Sequence, residues 1–539
     1  MIIQELKKNK IEFLFFVIYS ILFYYLIFVL KGNSFIAEDD LAHTILKPQT
    51  LFNCFKSNCE GISFFLNDIA NNFYTDDKKL LERQIHRITS QYTFLTDTIY
   101  YSFYLLFNNW ELSIISMIVL TSIFKFAALV SVTNIFFKKK TKTFFFIFIS
   151  IIFISTPGFE PHWGQNLTAY FFLICLSLIY FGKSNSIKII FFIFTLFSHA
   201  NGIILASVLA LYNFLTKYQK EKKILNNINI IDFLMGTLII FSYLFYNIVN
   251  LDSAPLQSLY VPEGNYIIKN IFLIYNYFKI IPPTSAGIIF MIFIIVYLMT
   301  TEFEKKINFI FISIATVYFL IIFTGSALMI YKKSIFLFTL IFYTCFFVLF
   351  ISLIKKINFK DLKKLFLQNS YEKNSKNIFN LVLFAPLVLI FLTIIQNFIF
   401  ENPKKFFRSH VSGSINNHNL EAYNRLINNL DNNKIIFNGS EAGMYYALNS
   451  GLSKRRFMWV NLKDTQNVKP GIYNYIFNSK VHAGGRLTSS NKMFQFYNSI
   501  VLTKNNKLIL DISDVKKKPK EIIFGFKKID LKKKIEYHY

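Results

Sequence analysis

Residues 10–41 read KIEFLFFVIYSILFYYLIFVLKGNSFIAEDDL. The stretch Ile11 to Leu30 is a nearly unbroken apolar run of about twenty residues, the length a helix needs to cross a hydrocarbon layer of roughly 30 Å. Lys7, Lys8 and Lys10 precede it, and Glu38, Asp39 and Asp40 follow within ten residues of its far end. The basic flank has the look of a secretory signal, but the run is longer than an h-region and no small-residue cleavage site follows. It reads as a retained first span.

Composition extends this reading to the whole chain. Of 539 residues 54% are hydrophobic and 17% charged, and the 66 phenylalanines make up about 12%. Soluble domains average near 25% charged residues, so a soluble enzyme is excluded. The net charge of +27 would point a soluble chain toward nucleic acid. Here the lysines mark the cytoplasmic ends of helices, and no nucleic-acid partner is expected. The four cysteines exclude a disulfide scaffold and a Cys-based zinc module. Cys175 and Cys345 lie in apolar runs as small hydrophobes. Cys54 and Cys59 share a polar loop, where a local disulfide is open to them if that loop faces an oxidising compartment.

Further apolar runs cover approximately 111–137, 143–157, 167–182, 188–198, 202–216, 230–250, 286–300, 307–324, 335–354 and 378–400, for about eleven spans in all. Alternating sides gathers Lys7–Lys10, Lys138–Lys142, Gly182–Lys188, Lys217–Lys223, Glu302–Lys306 and Lys355–Lys376 on one face, with about 22 Lys and no Arg. The short loops opposite hold about four. The positive-inside rule therefore puts the N-terminus in the cytoplasm and the C-terminal region outside, as in a bacterial inner membrane. Four runs between 143 and 216 are shorter than a perpendicular crossing requires. They read as short helices whose ends dip into a water-filled cavity, or as re-entrant pairs, and the charge alternation favours the former.

The expected fold is thus a polytopic α-helical membrane domain over 1–400, with a large outer loop at 31–109. The end of that loop, Thr93 to Phe107, suits a helix in the membrane interface. From Glu401 hydrophobicity becomes intermittent, and a C-terminal extracytoplasmic α/β domain is expected over 401–539. Lys434–Phe437 and Lys507–Ile512 read as strands there, and Asn419–Leu430 and Ser440–Leu448 as helices. Its charge of roughly +14 suits a basic surface near anionic headgroups.

Glu38, Asp39 and Asp40 are the sharpest chemical feature, with His43 close behind. Adjacent carboxylates repel one another and raise at least one pKa, which suits a general base or a divalent cation such as Mg²⁺ or Mn²⁺ held by Asp39 and Asp40. The plain alternative is a helix-stop cluster at the water interface. Glu160 and His162, between Pro157 and Trp163, fall on the same side, as does His199 in the Ser198–Gly202 break. These three polar breaks converge on one face of a greasy bundle. Lys332 and Lys333 lie in a short outer loop, where positive charge is disfavoured, and could hold a lipid phosphate or merely snorkel. Lys125, near the middle of the second span, is expected to face the interior and pair there. Trp163 could stack on a sugar ring or sit at the interface. No Walker loop, dinucleotide fingerprint, His-Glu-x-x-His or Gly-x-Ser-x-Gly is present.

The layout resembles the GT-C superfamily of integral-membrane glycosyltransferases, which includes protein mannosyltransferases, oligosaccharyltransferases and lipid A aminoarabinose transferases. A cytoplasmic N-terminus, a first span followed at once by the acidic Ala37-Glu38-Asp39-Asp40-Leu41, a large first outer loop, short spans, a lysine-bearing later loop and an outer C-terminal domain carry the resemblance. It implies transfer of a sugar from a polyprenyl-phosphate donor to a glycan, lipid or protein acceptor on the outer face. Asp39 or Asp40 would act as base or metal ligand, with the triple acid leaving the position open by one residue. Lys332 or Lys333 would meet the donor phosphate. The Trp-Trp-Asp motif of oligosaccharyltransferases is absent, which argues against protein N-glycosylation.

Two other readings are open. An O-antigen polymerase or ligase also uses polyprenyl-linked sugars, but relies on arginines and histidines in a large late loop. The loops between the late spans here are short and Arg-free. A transporter or flippase of lipid-linked sugars calls for repeated halves with matching broken helices. Here the short spans cluster on one side.

Overall fold

The computed structural model describes residues 9–30, 93–137, 139–155, 164–200, 202–221 and 230–249, the single positions Leu340 and Leu392, and eight strands between 436 and 537. The chain divides into two compact units, one of 1–23, 122–243 and 256–406, the other of 24–121, 244–255 and 407–539. The described helices are α1 (Lys10–Leu30), α2 (Phe94–Phe107), α3 (Trp110–Phe136), α4 (Lys139–Ser155), α5 (Gly164–Tyr180), α6 (Asn185–Ser198), α7 (Gly202–Glu221) and α8 (Ile230–Val249). Seven of the expected spans and the interfacial segment therefore coincide with helices. The four runs between 286 and 400 and the expected boundary near 401 lie outside the described residues.

Among the described residues one helix, the Leu112–Ile135 part of α3, is long and apolar enough to cross a bilayer. The apolar parts of the next four, Lys142–Ile154, Asn166–Tyr180, Asn185–Ser198 and Gly202–Phe214, are shorter. At 1.5 Å per residue each rises only about 20 Å.

Local chemistry sets the helix ends. α4 begins in its lysines, which are good helix formers, and stops two residues before Pro157, whose ring disfavours helical backbone in the residue it follows. α5 ends in a Schellman motif. Gly182 takes a φ of 62°, its N–H bonds the Ile179 carbonyl at 3.1 Å, and the Lys183 N–H bonds the Leu178 carbonyl at 2.9 Å. α2 ends on Asn108 in the left-handed region, its N–H on the Tyr104 carbonyl at 2.7 Å.

Three helices bury polar side chains within an apolar core and expose large apolar ones. α3 buries Ser113, Thr121, Lys125 and Thr133 on one stripe and exposes Leu112, Ile115, Val119 and Ile123 on another. α1 buries Glu12 and Ser20 and exposes Ile11, Leu14, Ile18, Ile21 and Leu22. α8 buries Ser242 and exposes Ile230, Phe233 and Ile240. Several inward hydroxyls bond the carbonyl one turn back, as Thr121 does with Met117 (2.8 Å) and Thr133 with Leu129 (2.6 Å). This spares them an unsatisfied polar group without any partner helix.

Phenylalanine supplies the packing. Phe16 and Phe126 (5.5 Å between ring centroids), Phe13 and Phe126 (5.4 Å), and Phe126 and Phe146 (5.6 Å) join α1, α3 and α4. Phe124 meets Phe171 edge to face at 4.7 Å, and Phe171 meets Phe194 at 5.2 Å, which joins α3, α5 and α6. Such ring pairs are worth about 0.5–1.5 kcal/mol each beyond area burial. Polar pins fix the other ends. Lys142 Nζ donates to Asn9 Oδ1, Thr143 Oγ1 donates to Glu12 Oε1 at 2.7 Å, and Asn213 Nδ2 donates to Asp232 Oδ1 at 2.7 Å.

In the C-terminal region the strands are β1 (Ile436–Asn438), β2 (Phe457–Trp459), β3 (Gly471–Phe477), β4 (Gln495–Leu502), β5 (Leu508–Asp511), β6 (Glu521–Phe524), β7 (Lys527–Asp530) and β8 (Glu536–Tyr537). Six form a mixed sheet in the order β2-β1-β3-β4-β5-β8, parallel around β1 and antiparallel beyond β3, while β6 and β7 pair separately. β1 and β5 fall where the alternating patterns at 434–437 and 507–512 predict strands. The helices expected at 419–430 and 440–448 lie outside the described residues.

Asn213 is buried and bonds a carboxylate, so its loss should cost about 1.5–3 kcal/mol. Asn213→Ala and Asp232→Ala should each lower the thermal midpoint in detergent. The double variant should lose less than the sum of the two, and simple additivity would show that the pair is not coupled.

Candidate functional site

His199 is the one expected site residue among the described positions. Glu38, Asp39, Asp40, Glu160, His162, Lys332, Lys333, Cys54 and Cys59 lie outside them. His199 leaves α6 in an extended conformation (φ −160°, ψ 146°) and is buried. Its carbonyl accepts the Gly202 N–H at 2.7 Å, and the Ala200 carbonyl accepts the Ile203 N–H at 3.2 Å. These two bonds turn the chain back into α7. One turn earlier, buried Thr195 and Ser198 bond the Phe191 and Phe194 carbonyls at 2.8 and 2.6 Å.

The turn is as tight as the chain allows. A Cβ on Gly202 would stand 1.8 Å from the Thr195 carbonyl oxygen and 3.1 Å from that of Leu196. Only glycine lets α7 start this close to the last turn of α6. Fully buried Asn166 and nearly buried Thr168 lie in the first turns of α5, and α5, α6 and α7 pack on one another. The triplet Asn166-Leu167-Thr168, which matches the Asn-x-Thr acceptor pattern for glycosylation, is therefore buried.

Lys125 faces inward as expected, 1% exposed, and donates from Nζ to the Phe153 carbonyl at 2.9 Å. Phe153 lies in the last turn of α4, where the helix dipole presents its negative end. The lysine thus meets both a hydrogen-bond acceptor and a favourable field.

One ionisable group escaped the sequence reading. Asp97, in the first turn of α2, is 3% exposed and accepts the Thr93 hydroxyl on Oδ2 at 2.6 Å. Tyr246 of α8 is fully buried. Phe94 and Phe245 pack edge to face beside them at 4.9 Å. Tyr100, one turn along, is fully buried, and its hydroxyl has no hydrogen-bond partner among the described residues. Such a group costs about 1–3 kcal/mol. Burial pushes the phenols of Tyr101 and Tyr104 above their usual range, and Tyr101 adds to the effect at Tyr104, so both remain neutral donors. The available signal for Asp97 was its spacing to Thr93 (i−4) and Tyr100 (i+3), which puts all three on one helix face.

Among the described residues no three His, Cys, Asp or Glu side chains come together to hold a metal ion. No known protein family model matches the chain, and no curated protein sequence matches it significantly.

Gly202→Ala should destabilise the protein by about 3 kcal/mol or more, because backbone rather than a flexible side chain must move. Gly236→Ala, in α8 with open space around it, should gain up to about 1 kcal/mol of helix propensity. Thermal unfolding of the two variants should therefore move in opposite directions.

Proposed function

We propose that this chain is an integral-membrane glycosyltransferase of the GT-C kind. It moves a sugar from a polyprenyl-phosphate donor to a glycan, lipid or protein acceptor on the outer face of a bacterial inner membrane. The observation that carries the reading is the run of three acids, Glu38, Asp39 and Asp40, within ten residues of the end of α1. The large apolar side chains that α1, α3 and α8 expose support the membrane setting, because outward Leu, Ile and Phe favour an apolar solvent. The short apolar parts of α4 to α7 support a bundle with polar helix ends below the surface, as a lipid-linked substrate requires.

In this reading about eleven spans occupy 1–400, the N-terminus is cytoplasmic, and 401–539 forms an outer α/β domain. Asp39 or Asp40 takes the acceptor hydroxyl proton as that oxygen attacks the anomeric carbon. The bond from that carbon to the phosphate oxygen breaks, and Lys332 or Lys333 offsets the charge left on the polyprenyl phosphate. Glu160, His162 and His199 line the same outer face. Asp39 and Asp40 are also where a divalent cation, Mg²⁺ or Mn²⁺, would be held.

Asp39→Asn or Asp40→Asn, inserted at normal levels, should reduce sugar transfer to the outer-leaflet acceptor by about 10²- to 10⁴-fold. Retention of transfer by both variants would overturn the acidic mechanism. A reporter fused after residue 400 should read as extracytoplasmic, and a cytoplasmic result would part the acids from the C-terminal domain.

A further inference from the structure

The C-terminal sheet reverses direction in its strand order. β1 has β2 on one side and β3 on the other, and both pairings are parallel, with Asn438 level with Trp459 and with Ile476. The chain leaves β1 for β2, returns on the far side of β1 as β3, and continues outward to β4. At the carboxyl ends of β1 and β3 it therefore departs in opposite directions, and neither departure has to cross the gap between those two strands. In open α/β sheets a switch point of this kind is where ligands bind. Asn438 and Trp459 are the last residues of β1 and β2, and as register partners they share a face, one strand spacing of about 4.8 Å apart. In sequence each parallel strand runs on into an amide or a hydroxyl: Gly439-Ser440 after β1, Val460-Asn461 after β2 and Asn478-Ser479 after β3.

We propose that this end of the sheet binds a neutral glycan, with Asn438 and Trp459 as its recognition residues. The inference rests on the transferase reading and deepens it, because it makes the substrate held by the C-terminal region a glycan acceptor. The residue types select the ligand. Amides and hydroxyls both donate and accept hydrogen bonds, and so do the hydroxyls of a sugar. A bound anion calls for converging cations and a metal ion for converging acids. The first ionisable residues beyond the three strand ends are instead Glu441, Lys463 and Lys480, of mixed sign and two to four residues further on. An apolar ligand makes no use of amides. An indole offers a flat apolar surface that suits the C–H side of a sugar ring, and an adjacent amide suits the hydroxyls at its edge. Among the parallel register pairs of the described strands, Asn438 with Trp459 is the only one that joins an amide to an aromatic residue. That pair stands in the terminal row, at the end of the sheet where the switch point lies.

The test uses the full chain in an amine-oxide detergent, which carries no sugar. The chain has three tryptophans, so Trp110→Phe together with Trp163→Phe leaves Trp459 as the sole indole reporter. Methyl glycosides of glucose, galactose, mannose and N-acetylglucosamine are the probes, with glycerol as a polyol without a ring and inorganic phosphate as an anion. At least one glycoside should shift the Trp459 emission saturably, and neither control should. Calorimetry with that glycoside then compares variants. Asn438→Ala should weaken binding about tenfold. Trp459→Tyr should retain most of it, whereas Trp459→Leu, apolar but without a ring, should lose about tenfold. Should Asn438→Ala not accumulate, the Tyr and Leu replacements of Trp459 decide the matter, because both keep an apolar side chain at the strand end. Silence of Trp459 toward every glycoside would overturn the proposal. So would an equal response to glycerol or phosphate, or a Trp459→Leu chain that binds as Trp459→Tyr does. Binding needs no sugar donor, so the two readings fail separately. Loss of transfer in the Asp39→Asn and Asp40→Asn chains, with no glycoside bound by the native one, retains the transferase and discards this site. Glycoside binding, with transfer kept by both of those variants, retains the site and discards the acidic mechanism.

Discussion

The hydrogen bond from Lys125 to the Phe153 carbonyl sets the terms for the α3 and α4 pair. A lysine at the middle of an apolar span costs about 2.5–3.5 kcal/mol on insertion scales. A hydrogen bond to a charged group returns about 1.5–3 kcal/mol, and the carbonyl end of α4 adds a favourable dipole field. The sum is close to zero, so the lysine does not stabilise the pair to any large extent. Its effect is to fix register. Sliding α4 by one turn would break this buried bond. The phenylalanines alone impose no such penalty, because Phe126 against Phe16 or Phe146 tolerates small shifts.

The same logic explains why most of the remaining inward polar side chains are serines and threonines. Serine and threonine can satisfy themselves on the carbonyl a turn back, as Ser113 does on Asn109 and Ser207 on Ile203. They therefore set no register, and they let helices approach closely. Side chains that cannot satisfy themselves locally occur at helix ends and bridge elements: Glu12 to Thr143, Asn9 to Lys142, Asn213 to Asp232. Among the described residues these long-range polar contacts sit near helix ends, whereas Lys125 makes its bond from the middle of α3.

How much of this was legible in the sequence depends on which force decides each feature. The existence of α1 and α3 to α8 follows from apolar runs, since hydrophobicity is a sum over many residues and tolerates local exceptions. Their ends follow from single residues. α4 starts at Lys139 rather than near residue 143 because its basic first turn is as helical as the apolar run after it, and α5 starts at Gly164 because a polar Gly-Gln-Asn turn can still be helical. The inward direction of Lys125 was legible because an outward lysine in a span is so costly; its partner was not, because a backbone carbonyl carries no sequence signature. His199 was singled out for its polar break, but Gly202 beside it was not, since close approach of two backbones is a property of the packed pair.

Asp97 shows the limit most sharply. In Thr93–Phe107 the interleaving of apolar and polar residues marks an amphipathic helix, and the default orientation puts Asp97 in water. The structure turns the helix over, with Asp97 and Tyr100 inside and Leu105 and Leu106 outside. Periodicity fixes which residues share a face but not which face is buried, because a helix wheel is unchanged by rotating the helix about its axis. In a soluble protein the apolar face goes in, and the ambiguity never arises. Where the surroundings are apolar the preference weakens, and the polar face can be the one that packs. The inverted stripes of α1, α3 and α8 follow that reversed rule. α2 follows it too, with Leu105 and Leu106 exposed and Asp97 and Tyr100 buried. Its buried carboxylate is therefore subject to the argument that governs Lys125: an ionisable group kept away from water must be matched by specific partners, and those partners are what define its role.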